Sequence, residues 1–229
     1  MSGLDGEDMY ISATTKMSSK GQIVIPEEIR KRYGFNPGEQ FVGWSMDFEK
    51  VIELVVGDFK KEKINYAFMG GFAMGALGVV RATADLDFLI DSKDALKVEK
   101  IMRKYSYQCV YKTENIAQYV SDVRIFGEID YLFAFRKISL SMLKKSTETP
   151  VLDGKIKVKV LRPEDIIGLK LQALVNDKSR ENKEYSDIEK IAEQFNQKLD
   201  WEALMDYFEL FKKEKEYKVL RKKYYGKIE

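Results

Sequence analysis

The chain has 229 residues, 45% of them hydrophobic and 33% charged, with a formal net charge of +2. That length fits one ordinary domain with a smaller companion, and the charge balance excludes a polycation, leaving any nucleic-acid contact to a local patch. Histidine is absent and Cys109 is the one cysteine, which excludes Ser-His-Asp and Cys-His sites, His-ligated zinc and an intrachain disulfide.

Chemistry is therefore left to carboxylates, hydroxyls, Lys, Arg and hard, oxygen-binding metals. Residues 1–13 are polar and acidic, without the basic start and apolar core of a signal peptide. No stretch has the length of a transmembrane helix, so a cytoplasmic protein without a membrane partner is expected. Residues 14–46 read as a compact, β-rich unit. Gln22–Ile25 is strand-like after a turn at Gly21, and Pro26 with Glu27 and Glu28 suits a helix start. Arg30, Lys31 and Arg32 stand at the other end of that helix, before a glycine stop at Gly34.

From Asp47 the pattern changes. "DFEKVIELVVGDFKKEKI" spaces Phe48, Val51, Ile52 and Val55 as one helical face. "INYAFMGG" predicts a short strand ending at glycines, "FAMGALG" a short helix and "DLDFLID" a strand. "KDALKVEKIMRKY" predicts a helix burying Val98, Ile101, Met102 and Tyr105. "QCVYK", in which Cys109 reads as a small buried hydrophobe, "VRIFGEIDYLFAF" and "GKIKVKVL" are strand-like. The last third is helical: "RPEDIIGLKLQALV" opens with proline and two acids, "EYSDIEKIAEQF" buries Ile188, Ile191, Ala192 and Phe195, and Asp200 caps "WEALMDYFELF". The basic tail carries eight Lys/Arg between Lys212 and Lys227, with Tyr217, Tyr224 and Tyr225 among them. It suits either a solvated helix face or an RNA backbone.

The expected fold is α+β: a mixed sheet flanked by helices over 47–160, a helical region over 161–229, and the small β-rich segment 14–46 after a loose start.

Alternate residues of a strand share a face. Asp85 and Asp87 therefore project together, while Leu86 and Phe88 point into the core. In "VRIFGEIDYLFAF", Val123, Ile125, Gly127, Ile129, Tyr131 and Phe133 form one face; Asp130 stands on the other with Glu128. Three carboxylates from two strands can hold two Mg²⁺ ions, which polarise a phosphoryl oxygen and help activate a hydroxyl. Gly70 and Gly71 end a strand and open a helix, where free N–H groups suit a phosphate. No Walker sequence and no Gly-x-Gly-x-x-Gly is present.

"GGFAMGALGVVRATADLDFLI" resembles the Gly-Gly…Arg-x-Thr-x-Asp-x-Asp signature of minimal nucleotidyltransferases of the polymerase-beta superfamily. "LRPEDIIGLKLQALVNDKSRENKEYSDIEKIAE" is similar to the helices that follow in the AbiEii toxin-like branch. The resemblance spans roughly residues 50 to 200. It implies Mg²⁺-dependent transfer of an NMP from an NTP to an RNA, such as a tRNA end, or to a protein hydroxyl, with a cognate antitoxin as partner. It implies metal ligands at Asp85 and Asp87, Asp130 as third carboxylate and general base, and phosphate contacts from Gly70 and Gly71. Lys170 and Asp187 match a later lysine and aspartate of that branch, although "EYSDIE" lacks the basic residue that often precedes the acid there. Lys170 shares a face with Ile167, Leu171 and Leu174, so it either meets the triphosphate or snorkels to solvent. Asp187 either positions Lys170 or is a surface acid. Arg81 and Thr83 either hold phosphate or serve a turn.

"TKMSSKGQIVIPEEIRKRYGFNPGEQF" resembles a second family, the AbrB/MazE-type swapped-hairpin DNA-binding domain. That likeness implies backbone contacts to DNA from Lys16, Lys20, Arg30 and Arg32. The chain turns helical after about Trp44, where that family continues with another hairpin, so the unit is either truncated or functional. The alternative function is thus an AbrB-like DNA-binding regulator whose second domain binds a nucleotide without turnover.

Overall fold

A computed structural model describes residues 47–121 and 126–225. The expected segment 14–46, with Lys16, Lys20, Arg30 and Arg32, lies outside the described residues, as do Val123 and Ile125.

Helix α1 (Phe48–Lys61) starts where the sequence places it. Asp47 caps it by accepting from the Lys50 amide at 2.9 Å, and Lys60 and Lys61 sit at its negative end. Its apolar stripe, from Phe48 through Phe59, is buried. There follow β1 (Tyr66–Met69), α2 (Gly70–Ala76), β2 (Asp85–Asp91), α3 (Ala95–Lys104), β3 (Tyr107–Lys112), β4 (Ile116–Ser121), β5 (Glu128–Ala134), α4 (Lys137–Lys145), β6 (Thr147–Val151) and β7 (Ile156–Val160). Four helices finish the described chain: α5 (Pro163–Asn176), α6 (Glu181–Phe195), α7 (Trp201–Leu210) and α8 (Glu214–Tyr224).

The strands make one mixed sheet in the order β3-β4-β5-β2-β1-β7-β6. Pairing is antiparallel for β1–β2, β3–β4, β4–β5 and β6–β7, and parallel for β2–β5 and β1–β7. This is the α+β sheet flanked by helices that the sequence predicts.

One face carries a row of rings. Phe68 and Phe88 lie 4.3 Å apart between centroids, Phe88 and Tyr131 stack at 5.5 Å, and Phe59 of α1 sits edge-on to Phe88 at 5.4 Å. The Tyr131 hydroxyl reaches Met102 Sδ of α3 at 3.2 Å. Burial of each such ring stabilises the fold by about 2–3 kcal/mol, so this row fixes β1, β2 and β5 side by side. Their alternate residues then face the other way, toward α5.

Some readings are corrected. Cys109 is exposed, because β3 is an edge strand whose residues after Tyr107 are all exposed. Tyr217 is buried, donating its hydroxyl to the Trp201 carbonyl at 2.8 Å. It holds α8 against α7 and offers no stacking platform. Strands β4 and β6 and helix α4 were not legible in the pattern. No helix among the described residues is long and apolar enough to cross a membrane.

Candidate active site

The register of the sheet assembles the site. Met69 pairs with Asp87 across β1–β2, Asp87 with Asp130 across β2–β5, and Asp130 with Gln118 across β5–β4. Asp85, two residues from Asp87, faces the same side. Carboxylate oxygens of Asp85, Asp87 and Asp130 all lie within 4.8 Å of one another.

Each acid is held by a neighbour. Thr83 donates its hydroxyl to Asp85 Oδ1 at 2.5 Å. Gln118 donates from Nε2 to Asp130 Oδ2 at 3.1 Å. The Gly71 amide, at the start of α2, donates to Asp87. The two glycines are required by packing. Gly70 has φ +63°, and a Cβ there would overlap the Asp87 carboxylate. A Cβ on Gly71 would overlap Arg81 and Thr83.

Burial and the charges of Asp85 and Asp130 push Asp87 up to about 7, against the opposing pull of Arg81 and the Gly71 amide. Asp130 is also raised, first by burial and then by Asp85 and Glu128, with Gln118 acting the other way. Three clustered carboxylates that offer only oxygen donors fit a hard divalent cation.

A second cluster lies across the cleft. Lys170 is buried, with Nζ 3.0 Å from Glu184 Oε2 and 2.5 Å from Asp187 Oδ2. The same Asp187 oxygen accepts from Arg81 Nε at 2.9 Å, and Arg180 reaches Glu184 Oε1 at 2.6 Å. Of the alternatives left open by the sequence, Lys170 does not snorkel and Asp187 is no surface acid. Asp187 ties Lys170 on α5 to Arg81, just before β2. A cleft of about 400 Å³ separates the clusters, lined by Gly70, Asp87, Gln118, Asp130, Lys170, Arg180 and Glu184 among others. Sequence reasoning did not single out Gln118, Arg180 or Glu184. Glu184 lies one turn before Asp187 on the same helix face, a spacing that points to it in retrospect.

A family model described as "Nucleotidyl transferase AbiEii toxin, Type IV TA system" matches residues 55–225. No curated protein matches the chain. The solution structure of the antibiotic-resistance factor ANT(2″)-Ia is similar in fold, with TM-score 0.56 and 15% identity over 77% of this chain and 97% of that one. The crystal structure of ANT(2″)-Ia in complex with adenylyl-2″-tobramycin gives TM-score 0.53 and 13% identity over 71% of this chain and 95% of that one.

Proposed function

The chain belongs to the AbiEii nucleotidyl transferase toxin family, and from that premise we propose that it moves an NMP from an NTP to a hydroxyl of RNA, with Mg²⁺ as its ion. The observation that carries this reading is the meeting of Asp85, Asp87 and Asp130 oxygens within 4.8 Å at a cleft edged by Gly70 and Lys170.

Asp85, Asp87 and Asp130 would hold the metal, which when bound polarises phosphoryl oxygens and acidifies the acceptor hydroxyl. Lys170, Arg180 and Arg81 place guanidinium and ammonium groups opposite the acids, where a triphosphate's negative charge is met. Their carboxylate partners Glu184 and Asp187 keep these groups oriented before substrate arrives. Asp130, with its proton affinity raised, takes the proton of the acceptor hydroxyl. The acceptor oxygen bonds to the α-phosphorus, the bond to the bridging oxygen breaks, and pyrophosphate leaves. Thr83, Gln118 and the glycine pair orient the acids. We assign the chemistry to residues 47–160, with α5 and α6 of the helical region closing the cleft. The biological setting proposed is a toxin restrained by a cognate antitoxin.

The test supplies each α-labelled NTP in turn with Mg²⁺ and a mixture of total RNA and protein. Label on RNA supports the reading and identifies the nucleotide. Label on protein alone replaces the acceptor, and no label overturns the reading.

A further inference from the structure

Helix α6 turns Glu184 and Asp187 toward Lys170. About half a turn round the same helix, Tyr185 and Glu189 line a separate groove of about 330 Å³ between α6 and α8. Ile188, Phe208 and Leu220 form its buried floor, and Val219 stands 68% exposed at its α8 rim. Two contacts fix how the helices lie. At one end the Tyr185 hydroxyl donates to Glu216 Oε1 at 3.4 Å, and Glu216 is also held by Lys213 at 3.2 Å. At the other, Lys223 Nζ reaches Glu189 Oε1 at 3.2 Å. The helices therefore run side by side in the same direction, with Glu189 level with Lys222 and Lys223.

The two rims carry opposite charge. Lys215, Lys218 and Lys222 stand exposed at three- and four-residue spacing on the outer side of α8, with Val219 among them, and form no ion pair among the described residues. On the outer side of α6, Glu189 and Glu193 stand exposed one turn apart. A wholly acidic partner would be repelled by the α6 rim and a wholly basic one by the α8 rim. A partner that carries both ridges in this order satisfies both, and the face itself does so when turned over about an axis along the groove.

We propose that this face is the interface of a two-fold homodimer, the occupant of each groove being a second copy of the chain. Helix α8 of each copy lies over α6 of the other. Lys222 then meets the partner's Glu189 and Glu193, and Val219 enters the partner's groove beside Tyr185. The contact is about 16 Å long, set by α8, and two helix diameters, roughly 20 Å, wide. Counting both copies, it buries on the order of 1,000 Å², the lower bound of a specific interface. The dimer is accordingly one of micromolar strength. The pairing involves neither substrate nor catalysis, so it stands apart from the transferase reading.

Sedimentation velocity of the full chain, from about 1 to 200 µM, tests it. Wild type is compared with Lys215→Glu/Lys222→Glu, with Glu189→Lys/Glu193→Lys, with an equimolar mixture of those two, and with Val219→Asp. All the substituted side chains are exposed, and circular dichroism checks each fold. Wild type should pass from monomer to dimer across the range. Each charge-reversed variant alone places like charges opposite one another and should dimerise at least about tenfold more weakly, as should Val219→Asp. The mixture restores opposite charges at both contacts and should regain dimer to within a few-fold of wild type. A wild type that stays monomeric throughout overturns the proposal. So does association left unchanged by the variants, which would place the contact elsewhere, and so does loss in both charge variants without recovery in their mixture.

Discussion

Asp87→Asn should stabilise the metal-free protein while abolishing transfer. The carboxyl of Asp87 is raised from 3.8 to about 7. About three pH units correspond to roughly 4 kcal/mol against the ionised form at pH 8. Part of the residue still meets solvent, so a gain of about 2–4 kcal/mol is expected from the amide, which keeps an acceptor for the Gly71 amide. For a chain of this length each kcal/mol moves Tm by roughly 2–4 °C, so the shift should be about 4–16 °C. The sign follows from proton binding. Between pH 4 and 7 the folded wild type binds a proton that the unfolded chain has released, so its stability falls as pH rises through that window and is flat above it. The advantage of Asn is therefore small at pH 4.5, grows toward pH 7 and levels off beyond. Urea unfolding followed by circular dichroism in EDTA at pH 4.5, 6 and 8 measures it. A variant no more stable than wild type at pH 8, or an advantage independent of pH, refutes the reasoning.

Other perturbations have defined outcomes. Gly70→Ala forces a side chain into the Asp87 carboxylate at a positive φ, so thermal melts should show a loss of about 2 kcal/mol or more together with loss of transfer. Lys170→Met leaves the buried Glu184 and Asp187 with only Arg180 and Arg81 as ion-pair partners. A loss of about 3 kcal/mol is expected, partly restored in Lys170→Met/Glu184→Gln, with KM for NTP raised in both. Phe88→Ala removes the centre of the ring row and should cost about 3–5 kcal/mol in urea unfolding. Asp58 is lowered to about 2, chiefly by the Lys104 hydrogen bond. Its contribution is present above pH 4 and lost as pH falls through 2, so Asp58→Asn should cost up to about 1 kcal/mol at neutral pH and nothing in strong acid.

The legible parts of the molecule were those whose signal is local. The stripe of α1, the proline and acids opening α5 and the Asp200 cap are set within one or two turns of chain. Asp85 and Asp87 were also visible, because alternation in a strand fixes their common side. The pairing of Asp87 with Asp130 was only suggested, since register comes from the turn and core packing of distant strands. Gln118 escaped notice because "IAQYV" alternates weakly and its partner is set by β5. Cys109 misled because an edge strand and a central one share the same residue types. The glycine pair was seen, but its need for space under Asp87 and Arg81 emerges only from the folded geometry.

The central claim is that these acids direct transfer at the α-phosphorus. Parallel reactions with α-labelled and γ-labelled NTP, Mg²⁺ and total RNA, run on wild type and on Asp85→Asn/Asp87→Asn, test it most directly. The account predicts that wild type attaches the α label to RNA and releases the γ label as pyrophosphate, while the variant does neither. Attachment of the γ label, or equal α labelling by the variant, would contradict it.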